Sequence, residues 1–453
     1  MNIVIVGDGK VGYTLTEHLS KEGHDVTVID NRPESLAQSM NAQDVFCVEG
    51  NGVNYSVQIE AGVPKADLLI AATSRDEINM LCCMVAKKLG AKHTIARVRD
   101  PEYQKQMLFL KEELGLSMTV NPEMAAAVDI SRMLRFSAAI NVDSFAKGRV
   151  EIVEFKVKDG SPLIGLTLME LNRKFQTRVL VCVVSRDDQP HIPRGDFIIQ
   201  EGDRLNVVAA PHDISAFFRA TGMLQRRAKS IMIVGGGRIA HYLASQLLDS
   251  GIQVKIIERD EARCHALSEL FPKAEILHGD GTDQELLHEE GLHTVDAFIS
   301  LTGIDEENII LSMYAQSCKV DKVITKVNNG RFINMLNGSG LEGFISPKSV
   351  ATQRILSYVR AMQNASGSNV ETLYPLADGH VEALEFRVRA GSLCAGVPLK
   401  DLSIRKNVLI GAIIRRGKCI IPGGEDMIEP GDSVIIVTTL QGLQEMDTIL
   451  EDI

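Results

Sequence analysis

Two stretches of this 453-residue chain repeat each other almost in register, and that repeat limits what it can fold into. Residues 2–30 (NIVIVGDGKVGYTLTEHLSKEGHDVTVID) read as an apolar strand, a turn with Gly7, Gly9 and Gly12, a helix, a second strand and a closing acid, Asp30. Residues 231–258 (IMIVGGGRIAHYLASQLLDSGIQVKIIE) read the same way, with Gly235 and Glu258 each 228 positions after Gly7 and Asp30. One glycine fingerprint is weak evidence for a nucleotide fold. Two at constant offset, each closed by an acid, predict two such folds in tandem.

Downstream of the first copy, apolar runs alternate with helical patterns. Residues 44–49, 66–73, 94–98 and 117–120 read as strands, and Asp76–Leu89 as a helix with Ile78, Leu81, Cys82, Val85 and Leu89 on one face. This is the signature of βαβ units on a parallel sheet. The apolar pattern at 123–140, rich in alanine and methionine, predicts a long helix that leaves the sheet to pack on a partner lobe or subunit. From about Val150 the period falls to two (EIVEFKVKDG), and short strands around one or two helices predict a small α+β module. The whole order then recurs: Thr302, Asp305, Glu306 and Asn308 answer Thr73, Asp76, Glu77 and Asn79 at offset 229, and Glu385 answers Glu154 at 231. Residues 222–229 and 364–369 read as linkers. The expected architecture is α/β: two Rossmann-like doubly wound parallel-sheet lobes (1–140 and 225–363), each followed by a small α+β lobe (141–224 and 364–453).

The glycine loops suit phosphate. The first glycine permits the turn, the second lets a pyrophosphate approach the backbone, and the third lets helix and strand pack closely. Gly7, Gly9 and Gly12 fill all three places; Gly235 and Gly237 fill two, with Ala240 in the third. Helices starting near Lys10 and Arg238 add free N–H groups, a positive dipole end and a cation. Asp30 and Glu258, 23 residues after the first glycine, are placed to bind ribose hydroxyls. A carboxylate there favours NAD over NADP, and ATP or ADP present the same ribose. Asn51, Thr73 and Ser74, with Asp280 and Thr302 in the second copy, fall on the carboxyl rim of the strands, where such ligands sit. Arg97 could pair with a phosphate, and Lys326 holds its place in the second copy; helix capping would explain Thr73 and Ser74 about as well. The candidate contacts are therefore Gly7, Asp8, Gly9, Lys10, Val11, Gly12, Asp30, Asn51, Thr73, Ser74 and Arg97, then Gly235, Gly237, Arg238, Ile239, Glu258, Asp280 and Thr302.

Composition narrows the partners. A formal charge of −11 argues against nucleic acid or an anionic membrane surface. No apolar run reaches the roughly 18 to 20 residues of a membrane-spanning helix. The N-terminus enters a strand with no basic leader, which predicts a cytosolic protein. Eight cysteines without a C-x-x-C pair, and eleven histidines without ligand spacing, give no metal or redox motif.

GDGKVG with Asp30, Gly50-Asn51-Gly52, ATSRDEIN and ARVRDPEY resemble the N-terminal lobe of RCK domains. EFKVKDGSPLIG and RGDFIIQEGDRL resemble their C-terminal lobe. Two complete units in one chain is the arrangement of the peripheral subunits of Trk potassium uptake systems. The resemblance implies a protein without catalysis of its own, whose N-terminal lobes bind NAD(H) or adenine nucleotides. It also implies a homo-oligomeric ring, a tetramer, that gates a membrane-embedded potassium-translocating subunit. Gly7, Gly9, Asp30, Thr73, Ser74 and Arg97 are then the expected nucleotide contacts, while Ala240 and Gly303 depart from the first copy and leave occupancy of the second site open.

Two other readings stand beside this one. An NAD-dependent oxidoreductase needs an acid/base residue near the nicotinamide. The one histidine candidate in the small module, His191, has no counterpart in the repeat, which reads CIIPGG there. A nucleotide-dependent scaffold for another transporter is the third.

Overall fold

The computed structural model describes all residues except 137, 188, 224–227, 337–338, 365–369, 378–379, 441–442, 444 and 452–453, so half of the first expected linker and all but one residue of the second lie outside the described residues. The first lobe runs β1 (Asn2–Val6), α1 (Lys10–Lys21), β2 (Asp25–Asp30), α2 (Pro33–Ala42), β3 (Phe46–Glu49), α3 (Tyr55–Glu60), β4 (Leu68–Ala71), α4 (Asp76–Leu89), β5 (His93–Arg97), α5 (Pro101–Glu113), β6 (Met118–Val120) and α6 (Pro122–Met133). Its six strands lie in the order β3-β2-β1-β4-β5-β6 and pair in parallel, so the order reverses between β1 and β4. That reversal opens a crevice at the carboxyl ends of β1 and β4.

A five-stranded antiparallel sheet follows, built from β7 (Ala139–Phe145), β8 (Val150–Lys156), β9 (Leu180–Arg186), β10 (Gln189–His191) and β11 (Arg204–Ala209), with α7 (Leu168–Phe175) and α8 (Pro211–Ala220). Its order is β10-β9-β11-β8-β7. Here the expectation of a helix through residue 140 fails. α6 ends at Met133, and Ala139–Phe145 pairs antiparallel with β8. Alanine and isoleucine serve either element, and the long-range partner decides.

The second Rossmann lobe runs β12 (Ser230–Val234), α9 (Arg238–Asp249), β13 (Gln253–Glu258), α10 (Glu261–Leu270), β14 (Glu275–His278), α11 (Gln284–Glu289), β15 (Ala297–Ser300), α12 (Asp305–Ser317), β16 (Lys322–Lys326), α13 (Gly330–Met335), β17 (Gly343–Ile345) and α14 (Pro347–Asn364). Its strand order, β14-β13-β12-β15-β16-β17, is the same reversal. The last sheet comprises β18 (Val370–Leu376), β19 (Val381–Arg387), β20 (Val408–Arg415), β21 (Lys418–Ile420) and β22 (Ser433–Thr438). Only a 3-10 turn, Leu399–Asp401, stands where the first small lobe has α7.

Two exchanges lock the halves together. Ala126, Ala127, Ile130 and Met133 of α6 share one apolar core with Ile231, Ile239 and Leu243 of the second Rossmann lobe. Ala351, Ile355, Leu356 and Val359 of α14 share another with Ile3, Leu15 and Leu19 of the first. The helix expected to pack on a partner lobe thus meets one within its own chain. Each fully buried isoleucine or leucine contributes about 1.5–3 kcal/mol to such a contact. The two small lobes also face each other, through Phe145, Ile152, Val183 and Val208 on one sheet and Val381, Ala383, Ile435 and Val437 on the other.

Candidate nucleotide-binding clefts

The first crevice is a cleft of about 660 Å³. Gly7, Gly9, Lys10, Val11, Asp30, Asn51, Thr73, Ser74 and Arg97 all line it, drawn from five strand ends and one helix start. Gly7 sits at φ +98°, and a Cβ there would stand 2.9 Å from the Thr73 nitrogen. A Cβ on Gly12 would fall 1.8 Å from the Gly7 carbonyl oxygen, so glycine is needed for the α1–β1 approach. A Cβ on Gly9 would meet nothing within 4 Å, which leaves the loop's middle open to a ligand. α1 begins at Lys10 with no side-chain cap and no acid in its first turn, so its leading N–H groups are free to face an anion.

Asp30 is 7% exposed and its carboxylate is already oriented. The Asp8 N–H donates to Oδ2 at 2.6 Å, and the Arg32 N–H donates to Oδ1 at 2.9 Å, with its Nε at 3.3 Å. Each carboxylate oxygen keeps acceptor capacity for a hydroxyl. Gly12 packs under the loop, and Asp8 does not line the cleft either: its Oδ2 accepts from the Ser39 hydroxyl at 2.6 Å, tying α2 to the loop. Burial raises the Asp8 carboxyl above its ordinary range, with the Asp30 charge adding to the effect. Asn31, Arg32, Arg75 and Ile78 also line the cleft. Of these, only Arg32 had a sequence signal, its place beside the acid.

Arg97 is held by groups of its own lobe, with Arg238 of the second half near enough for its charge to be felt. Its Nη1 donates to the Thr73 carbonyl at 3.4 Å, its Nη2 lies 3.9 Å from Glu123, and its Nε is buried without a partner. Burial and the nearby Arg99 guanidinium lower its pKa. Thr73 is held internally: its hydroxyl donates to Asn79 Oδ1 at 2.7 Å and accepts from the Arg75 N–H at 3.3 Å. Asn79 itself, fully buried, also takes the Thr73 N–H at 2.8 Å and donates to the Arg97 carbonyl at 2.8 Å. Asp76 accepts from the N–H groups of Arg99 and Asp100. The T-x-x-D-E-x-N repeat therefore staples the β4 and β5 ends of the cleft together.

The second copy keeps that staple, with Asn308 joining Thr302 and Lys326 and Asp305 joining Asn328 and Asn329. Gly235 repeats φ +98°, and α9 starts at Arg238 after Gly237 without a side-chain cap. The acid end repeats the two backbone bonds of Asp30 and adds an arginine. Glu258 accepts from the Gly236 N–H at 2.6 Å and from the Asp260 N–H at 2.9 Å, while Arg263 Nε donates to the Gly236 carbonyl at 2.7 Å. Leu267 crowds Gly236, so a Cβ there would stand 2.6 Å from its Cδ1. Asp280 is engaged by the Thr282 hydroxyl and N–H, which lower its pKa. Ile239 is buried in the core that the second lobe shares with α6. The two Rossmann lobes meet near α6, where Asn121 Nδ2 donates to the Tyr242 hydroxyl at 2.9 Å and that hydroxyl donates to the Arg99 carbonyl at 2.9 Å.

Comparison with known proteins agrees with this architecture. The TrkA-N domain model matches residues 3–122 and 231–347, and the TrkA-C domain model matches 152–222 and 383–451. The chain is 35% identical over 439 residues to the Trk system potassium uptake protein TrkA of Halomonas elongata, covering 96% of this chain and 95% of that one. Its fold is similar to the crystal structure of the GsuK RCK domain, at TM-score 0.63 and 19% identity, covering 96% and 92% of the two chains. It is also similar to the GsuK channel bound to NAD, at TM-score 0.63 and 20% identity, covering 96% and 76%. With two TrkA-N and two TrkA-C domains in alternation, the chain belongs to the TrkA family of Trk potassium uptake proteins.

Proposed function

We propose that this protein is a cytosolic nucleotide-sensing regulatory subunit of a Trk-type potassium uptake system, without catalysis of its own. It binds NAD(H), ATP or ADP in the first Rossmann lobe and gates a membrane-embedded potassium-translocating subunit from the inner face of the membrane. The observation that carries this reading is the first cleft, in which the open middle of the loop, the uncapped α1 and the oriented Asp30 carboxylate converge. Family membership and the fold shared with a channel solved with NAD support it. The Arg263 side chain bonded over Gly236, with Leu267 crowding the same glycine, supports reading the second cleft as the weaker site.

The mechanism is a population shift. Nucleotide bridging loop, acid and β4 rim favours one arrangement of the lobes by its difference in affinity between arrangements, and by nothing else. The ring is a homotetramer assembled through the outer faces of the Rossmann lobes. Those faces expose Leu81 and Met84 on α4, and Ile304, Ile310 and Met313 around α12, with Ile310 67% exposed. Such apolar patches mark association surfaces.

Calorimetric titration of NAD, NADH, ATP and ADP tests the site. Asp30→Ala should weaken binding about tenfold or more, the loss of one or two charge-assisted hydrogen bonds, and Glu258→Ala should change it far less. Unchanged binding in both variants would sink the assignment of these acids to ribose, and turnover of a reduced cofactor would restore the dehydrogenase reading. Light scattering tests the ring: Ile310→Asp should lower the mass from that of a tetramer. A wild-type monomer would overturn the assembly.

A further inference from the structure

An arginine near the end of α14 pairs with a carboxylate of one lobe, and its charge acts on a carboxylate of another. Arg360 Nη2 pairs with Oε1 of Glu22, the residue that ends α1 of the first Rossmann lobe. Its Nη1 is buried without a hydrogen-bond partner. Glu382 on β19, in the second small lobe, also has a buried Oε2 without a partner. The two are close enough that the Arg360 charge acts on the Glu382 carboxyl, which burial holds above its ordinary range.

The duplication shows how these groups can pair. Arg135 occupies the place of Arg360 thirteen residues after the first proline of its helix, and Glu151 the place of Glu382 one residue into its strand. There the bond is made, with Arg135 Nη2 at 2.5 Å from Glu151 Oε1. The position that answers Glu22 is Ser250, whose hydroxyl donates to the Gln246 carbonyl. The first copy therefore offers its arginine one acid, and the second offers two.

We infer that Arg360 is a two-position coupling residue, exchanging Glu22 of the first Rossmann lobe for Glu382 of the second small lobe when the first cleft changes its occupancy. The trigger rests on the nucleotide reading above; the exchange itself does not. α1 is a rigid rod of 12 residues, about 18 Å long. Lys10 and the open loop stand at one end and Glu22 at the other. Leu15 and Leu19 of that rod share a core with Ile355 and Val359 of α14. A small tilt of α1 toward phosphate thus moves Glu22 against Arg360. A buried cation leaving one carboxylate needs another, and Glu382 is the unpartnered acid that already lies in its field. The exchange joins α14 to β19, whose inner face lies between the two small lobes.

Thermal melts in a two-by-two set test the exchange. In the wild-type background Glu382→Gln removes a charge whose buried Oε2 has no partner, and should leave Tm unchanged or raise it by about 1–2 °C. In the Glu22→Gln background Arg360 has moved to Glu382, so the same substitution should lower Tm by about 2–4 °C. An equal shift in both backgrounds overturns the exchange. ADP titration tests the trigger: Glu22→Gln and Glu382→Gln should shift the Kd of the first cleft severalfold in opposite directions, and neither should do so in an Arg360→Met background. Shifts of one sign, or shifts that persist without Arg360, overturn the coupling. Absence of ADP and NAD binding in the wild type overturns the nucleotide reading and this trigger, and leaves the melts to decide the exchange.

Discussion

Asn79 carries more of the first cleft's geometry than any single glycine. It ties the Thr73 backbone and hydroxyl to the Arg97 carbonyl from a fully buried position. Asn79→Ala would leave the Thr73 N–H and the Arg97 carbonyl without this partner, at a cost of about 1–3 kcal/mol each before relaxation. A fall in Tm of several degrees is expected, together with weaker nucleotide binding, measured by calorimetry on the purified variant. Gly12 shows the opposite kind of constraint, one of space. The repeat places Ala240 there and keeps it buried, so the second loop must stand further from its helix than the first. The repeat spacing made Thr73 and Asn79 visible in the sequence as a pair. Their contact with each other, rather than with a ligand, was not, because a hydroxyl on a strand rim can serve either end.

At the scale of elements, α6 and α14 are the connections that make two units one. Each lies against the Rossmann lobe of the other half, as the cores around Ile130 and Ile355 show. Ile355→Ala should cost about 2–5 kcal/mol. Because its neighbours are Ile3, Leu15 and Leu19, amide exchange should quicken in β1 and α1, the first Rossmann lobe, rather than in the lobe that contains Ile355. Faster exchange confined to β12 and α9 would contradict the exchange of helices. Periodicity located α4 at Asp76–Leu89 but turned its face: Asn79, Cys82, Cys83 and Ala86 are buried, while Leu81 of the expected stripe is exposed, because polar Asn79 is drawn inward by its bonds to Thr73 and Arg97. It misread 139–145, where the strand exists through its pairing with β8.

For the whole molecule, the centre is where the halves bring charge together. Asp143 on β7 faces Asp129 and Arg132 of α6 and Glu154 of β8, and Tyr374 of β18 lies within their field along with Arg354 of α14. Burial, reinforced by Asp129 and Glu154, raises the Asp143 carboxyl from 3.8 to about 7. An acid raised on folding stabilises fully below its unfolded value and loses that contribution as pH climbs through the folded one. Wild type should therefore lose stability between about pH 4 and 7, and Asp143→Asn should flatten that part of the profile in melts from pH 5 to 8. An unchanged slope would remove Asp143 as its source.

The sequence by itself determined the repeat, the α/β class, the two glycine loops and their closing acids. These are local patterns, readable because strand, turn and helix each have their own period and turn chemistry. It could not decide that Arg263 reaches over Gly236, that Asp8 faces Ser39 rather than the cleft, or that Arg360 pairs with Glu22 of another lobe. Those outcomes depend on which side chains meet after β-sheets close and helices cross between halves. Partners tens to hundreds of residues apart are chosen by packing, and no local period records them.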